Sequence, residues 1–242
     1  MKKIYEGAIS CKALLESGNH QYHTLYIDRK KRTKDTKYLV YLAKSKNVNI
    51  EFLERTKIDE IANGKTHGGI LLSAETREIE DIKNQKLVGY CCYIDGVEDP
   101  YNLGSIIRTL YATGADTLLL PKRDWSICEE IILKASAGAF EKLTIFYVEN
   151  DQVLVDICKF NHLPILCANR KDAKKLSDYH FPNDFCLALG GALRGLSSIV
   201  ANASSQNIVI DYGRDFKNAL DSASATAIFS FEILRQRKNN TI

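Results

Sequence analysis

Residues 87–120 read LVGYCCYIDGVEDPYNLGSIIRTLYATGADTLLL. The run 87–94 is apolar and of strand length. The turn residues Asp99, Pro100 and Asn102 follow it. Leu103, Ile106, Ile107, Leu110 and Tyr111 then recur at helical spacing, and Gly114 supplies a helix stop. Thr117 to Leu120 gives a second apolar strand. A strand, a helix and another strand in this order predict a parallel pair with the helix on one face.

The pattern continues to the C-terminus. Helices are predicted over 127–135 and 153–160, and strands over 143–148, 163–168, 185–189 and 208–210. A long helix spans about 218–237. The predicted fold class is α/β, with a mainly parallel sheet covered on both faces. Ligands of such sheets bind in loops beyond the carboxyl ends of the strands. The loops at 95–102, 190–195 and 210–220 are therefore the candidate site.

The loop 190–195, Gly190-Gly191-Ala192-Leu193-Arg194-Gly195, is not G-x-G-x-x-G, because Ala192 occupies the second glycine position. It is not a phosphate-binding P-loop either, because Leu196 stands where lysine is required. It reads as a tight strand-to-helix turn or as a turn that brings backbone against a ligand. Asn102 reads as a helix cap, and Arg108, six residues on, as a surface arginine or a site group. Asn218 and Asp221 read as a cap and a first-turn acid on the last helix, where an acid is favoured by about 0.3–1 kcal/mol. Ser222, Ala223, Ser224, Ala225 and Ala227 leave one face of that helix thin, for packing on the sheet or for a contact between subunits.

Upstream, residues 1–80 alternate helix and strand over a short length. Helices are predicted around 9–15, 38–43 and 57–62, and strands at 24–27, 49–53 and 68–72. Residues 75–86 are charged and poor in apolar side chains, and 81–86 is taken as the linker. The domains are thus 1–80 and 87–242.

Composition sets the outer limits. The chain has 242 residues, 45% hydrophobic and 26% charged, ordinary for a folded domain and unlike disordered or collagenous chains. No stretch reaches the ~18 apolar residues of a membrane span, and the N-terminus lacks the apolar core of a signal peptide, so a cytoplasmic protein is expected. The seven cysteines include no C-x-x-C pair and read as free thiols in a reducing compartment. The five histidines do not cluster as metal ligands, and no metal is expected.

Charge is uneven. Residues 1–86 hold 17 Lys/Arg against 12 Asp/Glu, and residues 87–242 hold 16 against 18. Arg29-Lys30-Lys31-Arg32 is the densest basic run. It reads as a solvated loop or as a patch that neutralises nucleic-acid phosphates.

Taken together, these segments resemble the SpoU (TrmH-like) branch of the SPOUT RNA 2′-O-ribose methyltransferases. Residues 95–109, DGVEDPYNLGSIIRT, are similar to the family's motif 1 almost throughout, and Lys134-Ala135-Ser136-Ala137-Gly138-Ala139 to the stretch between motifs 1 and 2. Residues 187–196 resemble motif 2. Ile208-Val209-Ile210 with Ala219-Leu220-Asp221, and Glu232 and Arg235–Arg237 beyond, resembles motif 3. Gly7 to Leu15 and His67-Gly68-Gly69-Ile70 are similar to the L30e-like RNA-binding domain that often precedes the catalytic one.

The resemblance implies a C-terminal trefoil knot and a homodimer. It implies S-adenosylmethionine held by Leu189, Gly190, Ile210 and Leu220, and a methyl transfer to a ribose 2′-hydroxyl of rRNA or tRNA. Asn102 would organise the motif 1 loop. Arg108 would stabilise developing negative charge or clamp a phosphate, since a guanidinium is seldom a base. Three departures stand against the family pattern. Ala192 replaces the motif 2 glutamate, Asp211 follows Ile210 in place of proline, and Ala219-Leu220-Asp221 replaces Ser-Leu-Asn. A second reading follows from Ala192, Ala219 and Asp221: a non-catalytic RNA-binding protein on the same scaffold. A nucleotide-binding α/β enzyme of another kind is the third, and it lacks both phosphate-binding signatures.

Overall fold

A computed structural model describes residues 1–191 and 194–239. The chain divides into two compact units, Met1–Glu78 with Trp125–Lys142, and Ile79–Asp124 with Leu143–Ile242.

The first unit opens with β1 (Lys2–Glu6), α1 (Ala8–Ser17), β2 (Tyr22–Asp28), α2 (Lys34–Ser45), β3 (Asn49–Leu53), α3 (Arg55–Ile61) and β4 (Ile70–Glu75). The sheet order is β1-β4-β2-β3. β4 runs antiparallel to both neighbours, and β2 runs parallel to β3. β1 has no counterpart in the sequence reading, because its two lysines mask the pattern and only Tyr5 is fully buried. α2 starts at Thr33, whose hydroxyl accepts the Thr36 N–H while Thr36 reciprocates, a capping box with threonine in the usual Glu/Gln place.

The second unit begins with β5 (Tyr90–Ile94), α4 (Pro100–Ala112) and β6 (Thr117–Pro121). The chain then contributes α5 (Glu129–Ala135) to the first unit, flanked by single 3-10 turns. There the Tyr5 hydroxyl donates to Glu129 at 2.5 Å, and the Arg77 N–H donates to both Glu129 oxygens at 3.0 and 3.1 Å. His20 Nε2 meets Glu141 Oε2 at 2.9 Å with both side chains fully buried.

The second unit resumes with β7 (Thr144–Val148), α6 (Asp151–Phe160), β8 (Ile165–Ala168), β9 (Lys174–Lys175), β10 (Phe185–Leu189), α7 (Ser198–Asn202), β11 (Gln206–Val209) and α8 (Ser222–Asn239). Its seven strands run in the order β7-β6-β5-β10-β8-β11-β9, all parallel. β5 and β10 are buried along their whole length. This is why their sequences are continuous apolar runs rather than alternating ones. Leu103, Ile106, Ile107 and Leu110 of α4 are fully buried, each contributing ~1.5–3 kcal/mol.

Next to the expected linker, the Tyr147 N–H donates to the Glu80 carbonyl at 2.9 Å, the Ile82 N–H donates to the Tyr147 carbonyl at 2.7 Å, and the Ile82 side chain is buried. Two expectations need correction. The Asn102 side chain does not cap α4, because the Asp99 carboxylate holds that place. Asn218 does not cap the last helix: Asp221 does, accepting the Ser224 N–H at 2.9 Å and its hydroxyl at 2.6 Å.

Candidate active site

β5 and β10 are neighbours at the centre of the sheet, and their carboxyl ends release the two loops that shape the site. Asp95 N–H donates to the Leu189 carbonyl at 2.9 Å and prolongs the pairing beyond the strands. The loops then touch backbone to backbone. A Cβ on Gly96 would lie 2.9 Å from Gly191 Cα, and one on Gly191 would lie 2.9 Å from the Gly96 carbonyl oxygen. A Cβ on Gly190 would lie 2.3 Å from the Gly195 carbonyl carbon. Glycine is required at 190 and 191 by this closeness. Gly195 N–H donates to the Gly191 carbonyl at 2.8 Å and closes the turn. Ala192, the position of the missing motif 2 glutamate, lies outside the described residues.

Gly191, Arg194 and Gly195 line two adjoining clefts. The first cleft has a volume of about 430 Å³, within the ~300–1,000 Å³ of small-molecule sites. Leu189, Ile208 and Phe229 give it an apolar lining. Gly190, Ile210, Tyr212, Ala219 and Leu220 come from loops around it. The four residues expected to hold the cofactor, Leu189, Gly190, Ile210 and Leu220, are therefore gathered around one space.

Arg170 is a member of this cleft that the sequence reading does not single out. Its guanidinium donates to the carbonyls of Lys217 and Asn218 at 2.6 and 2.8 Å and lies 5.2 Å from the centre of the Tyr212 ring. It fastens the 210–220 loop. An arginine at a strand end with two backbone partners leaves no motif, so its sequence signal is weak. α8 closes the cleft: Ser222 Oγ donates to the Gly190 carbonyl at 3.5 Å, and the Tyr90 hydroxyl bonds Ser230 Oγ at 2.9 Å.

The second cleft, about 630 Å³, shares Gly191, Arg194 and Gly195 with the first. Asp95, Glu98, Asp99, Asn102, Asp221 and Ser222 line it with the shared turn residues. Burial pushes the Asp95 carboxyl above its ordinary value, while the Gly96 N–H at 2.7 Å and the Arg194 charge pull it down. The Ser224 hydroxyl and N–H hold Asp221 below the usual carboxylate range.

Asn102 lies on this cleft at the third position of α4. Asp99 Oδ1 accepts its N–H at 2.8 Å, so the Asn102 side-chain amide is not spent on capping. Arg108 lies nearly two turns further along α4, exposed, and it lines neither cleft of the single chain. Its side chain makes no hydrogen bond or ion pair among the described residues. Tyr101 and Tyr111 of the same helix are exposed as well. Asp211 also lines neither cleft and pairs with Lys175 at 3.2 Å on the surface.

The basic run lies in the β2–α2 connection of the first unit. Arg29 pairs with Glu54 at 3.1 Å, and Lys31 donates to the Gly68 carbonyl at 2.7 Å. Lys30 and Arg32 are exposed and make no ion pair among the described residues. No helix among the described residues is long and apolar enough to cross a membrane.

The second unit is an α/β fold with an all-parallel sheet and two clefts at the carboxyl ends of its central strands, and solved RNA methyltransferase structures share that fold. A crystal structure of an RNA 2′-O ribose methyltransferase superposes with a TM-score of 0.80 at 17% identity, covering 98% of this chain and 89% of that one. The SpoU methyltransferase AviRb from Streptomyces viridochromogenes in complex with AdoMet gives 0.77 at 17% identity, covering 98% and 91%. The chain belongs to the SpoU rRNA methylase family. The model of that family matches residues 89–231, and a model described as RNA 2′-O ribose methyltransferase substrate binding matches residues 4–79. A protein of Staphylococcus epidermidis assigned to the TrmH family tRNA/rRNA methyltransferases is 29% identical over 201 residues, 81% of this chain and 80% of the relative. Another, from Staphylococcus haemolyticus, is 25% identical over 240 residues, 97% and 96% of the two chains.

Proposed function

We propose that this chain methylates a ribose 2′-hydroxyl of rRNA or tRNA, with S-adenosylmethionine as methyl donor. One observation carries the reading. The first cleft gathers Leu189, Gly190, Ile210 and Leu220 from separate loops around a space of ligand size. The AdoMet complex of AviRb, on a similar fold, supports the same donor here.

The residues fit such a donor. Ile210, Tyr212 and Leu220, part-buried on the lining, offer apolar surface to a flat base, and the missing Cβ of Gly190 lets the backbone of Gly195 and Leu196 pack directly against it. Arg170 and Arg194 stand at the lining with charge suited to a carboxylate. The bound donor supplies an electrophilic methyl group. The task of the protein is then chiefly positioning, which supplies up to ~7–11 kcal/mol of a barrier when two reactants are held in line.

The second cleft receives the target nucleoside. Asn102 orients it with an amide left unused by the helix. Asp95 lines the same cleft, and burial raises its carboxyl, the change that suits a proton acceptor. Arg108 stabilises charge developing on the oxygen or clamps a neighbouring phosphate. Because Arg108 lines neither cleft of one chain, this role calls for a homodimer, in which a second copy presents it. The exposed Tyr101 and Tyr111 on the helix of Arg108 support that arrangement. The trefoil knot and the cytoplasmic setting belong to the same reading.

Ala219 on the wall of the first cleft and Asp221 engaged in the α8 cap favour a second reading, a non-catalytic RNA-binding protein. Transfer of tritiated methyl groups to tRNA and rRNA tests the two. Label in RNA supports the enzyme. Donor binding without transfer to either RNA class supports the second reading.

A further inference from the structure

We propose that the outward face of α2 is a stacking platform for an unpaired nucleotide of RNA. The inference rests on the reading that the chain binds RNA and names the part of the first unit that grips an unpaired base. α2 buries Thr36, Leu39 and Ala43. On the opposite side Tyr41 is 65% exposed and Tyr38 40% exposed. Their rings lie 6.3 Å apart, centre to centre, and within 21° of parallel. Two large aromatic side chains left in water bury little for the fold.

The surroundings select the occupant. Lys37 precedes Tyr41 by four residues and Lys44 follows it by three, so both share its helix face. Lys34 stands four residues before Tyr38, in the same relation. All three lysines are exposed and make no ion pair among the described residues. Lys12 from α1 adds a fourth cation, 5.3 Å from the centre of the Tyr38 ring. The carboxylate beside the platform, Glu16, accepts the Tyr38 hydroxyl at 3.2 Å and pairs with Lys12 at 3.7 Å. The acid of α2, Asp35, falls off the centre of the stripe at about 100° per residue.

Protein–protein interfaces are enriched in tyrosine but depleted in lysine, and four lysines around two tyrosines argue against a protein partner here. Aromatic rings interleaved with cations suit unpaired nucleic acid, whose bases stack while its phosphates meet the ammonium groups. A duplex hides its base faces and gains nothing from the rings.

The test uses fluorescence anisotropy of the full chain with a labelled unpaired oligoribonucleotide and a duplex of equal length. Tyr41→Ala is expected to weaken binding of the unpaired strand roughly five-fold or more, the effect of losing one stacked base. Tyr41→Phe is expected to keep the affinity, and duplex binding and the salt dependence are expected to stay as in the wild type. Unchanged affinity of Tyr41→Ala for the unpaired strand overturns the proposal, and so does an equal loss on both RNAs. A wild-type dimer that Tyr41→Ala converts to monomer in sedimentation also overturns it, because the face then belongs to a second copy. A wild-type chain that binds no RNA defeats the underlying reading as well. Binding that ignores Tyr41 defeats this inference alone.

Discussion

Asp99 Oδ1 accepts the N–H of Asn102 at 2.8 Å, and this bond assigns the two residues different duties. Pro100 occupies the first helical position and holds the residue before it in an extended conformation. Asp99 is therefore the cap, and the Asn102 amide is not used in it.

Substitution separates the two duties. Asp99→Ala is expected to cost about 0.5–2 kcal/mol of stability, the usual worth of a cap. Asn102→Ala is expected to leave the unfolding midpoint nearly unchanged and to lower methyl transfer by an order of magnitude or more. Thermal unfolding and single-turnover transfer, run on both variants, check the division. Equal stability losses would return Asn102 to a capping role.

Arg108 is exposed and without an ion pair among the described residues, so its removal is cheap for the fold. Arg108→Ala is expected to lower turnover roughly 10²–10³-fold, the range for losing one charge-stabilising donor. Donor affinity measured by calorimetry should be unchanged, because Arg108 does not line the first cleft. Mixing Arg108→Ala chains with chains altered in the first cleft should restore part of the activity if the sites are completed between copies.

The first unit buries a histidine between two oxygen acceptors. His20 Nδ1 faces the Glu75 carbonyl at 2.8 Å and Nε2 faces Glu141 at 2.9 Å, so both ring nitrogens meet oxygen acceptors. Burial alone would lower the His20 pKa, but the bond and charge of Glu141 and the Glu75 carbonyl together raise it. A raised histidine stabilises the fold fully below its unfolded value near ~6.5. That contribution fades as pH climbs through the raised folded value. Glu129, raised by burial, shifts stability in the same direction. Urea unfolding should therefore show stability falling from about pH 6 into the alkaline range. His20→Leu should remove much of that slope and destabilise by about 3–5 kcal/mol, because Glu141 stays buried without its partner.

The basic run gives a salt-dependent prediction. Lys30 and Arg32 pair with no protein carboxylate among the described residues, whereas Arg29 is partly spent on Glu54. Replacing Lys30 and Arg32 by glutamine should reduce the slope of log affinity for RNA against log salt. The reduction should be roughly 0.7 for each single-strand phosphate that these cations no longer neutralise. A slope equal to that of the wild type would make the run a solvated loop.

Much of this architecture is legible in residue order alone. The central strands β5 and β10 are continuous apolar runs, and the apolar spacing along α4 is unbroken, so the sequence announces both together with their loops. The four residues of the first cleft follow from the motif resemblance and meet in space. What escapes has weak local signals. β1 is a strand because β4 pairs with it, and its lysines hide that. The grouping of α5 with the first unit depends on Glu129 and Glu141 finding Tyr5 and His20, 124 and 121 residues away. Arg170 acts through backbone carbonyls, which no side-chain pattern reports. Arg108 lies on the helix that the spacing predicts, but its separation from both clefts is a matter of three dimensions.

The most direct test of the central claim is a calorimetric titration of the full chain with S-adenosylmethionine, repeated on Leu220→Trp, which fills the first cleft with an indole. The account predicts saturable binding by the wild type and at least a tenfold loss in the variant, with RNA affinity retained. Absence of binding by the wild type, or equal affinity in both proteins, contradicts it.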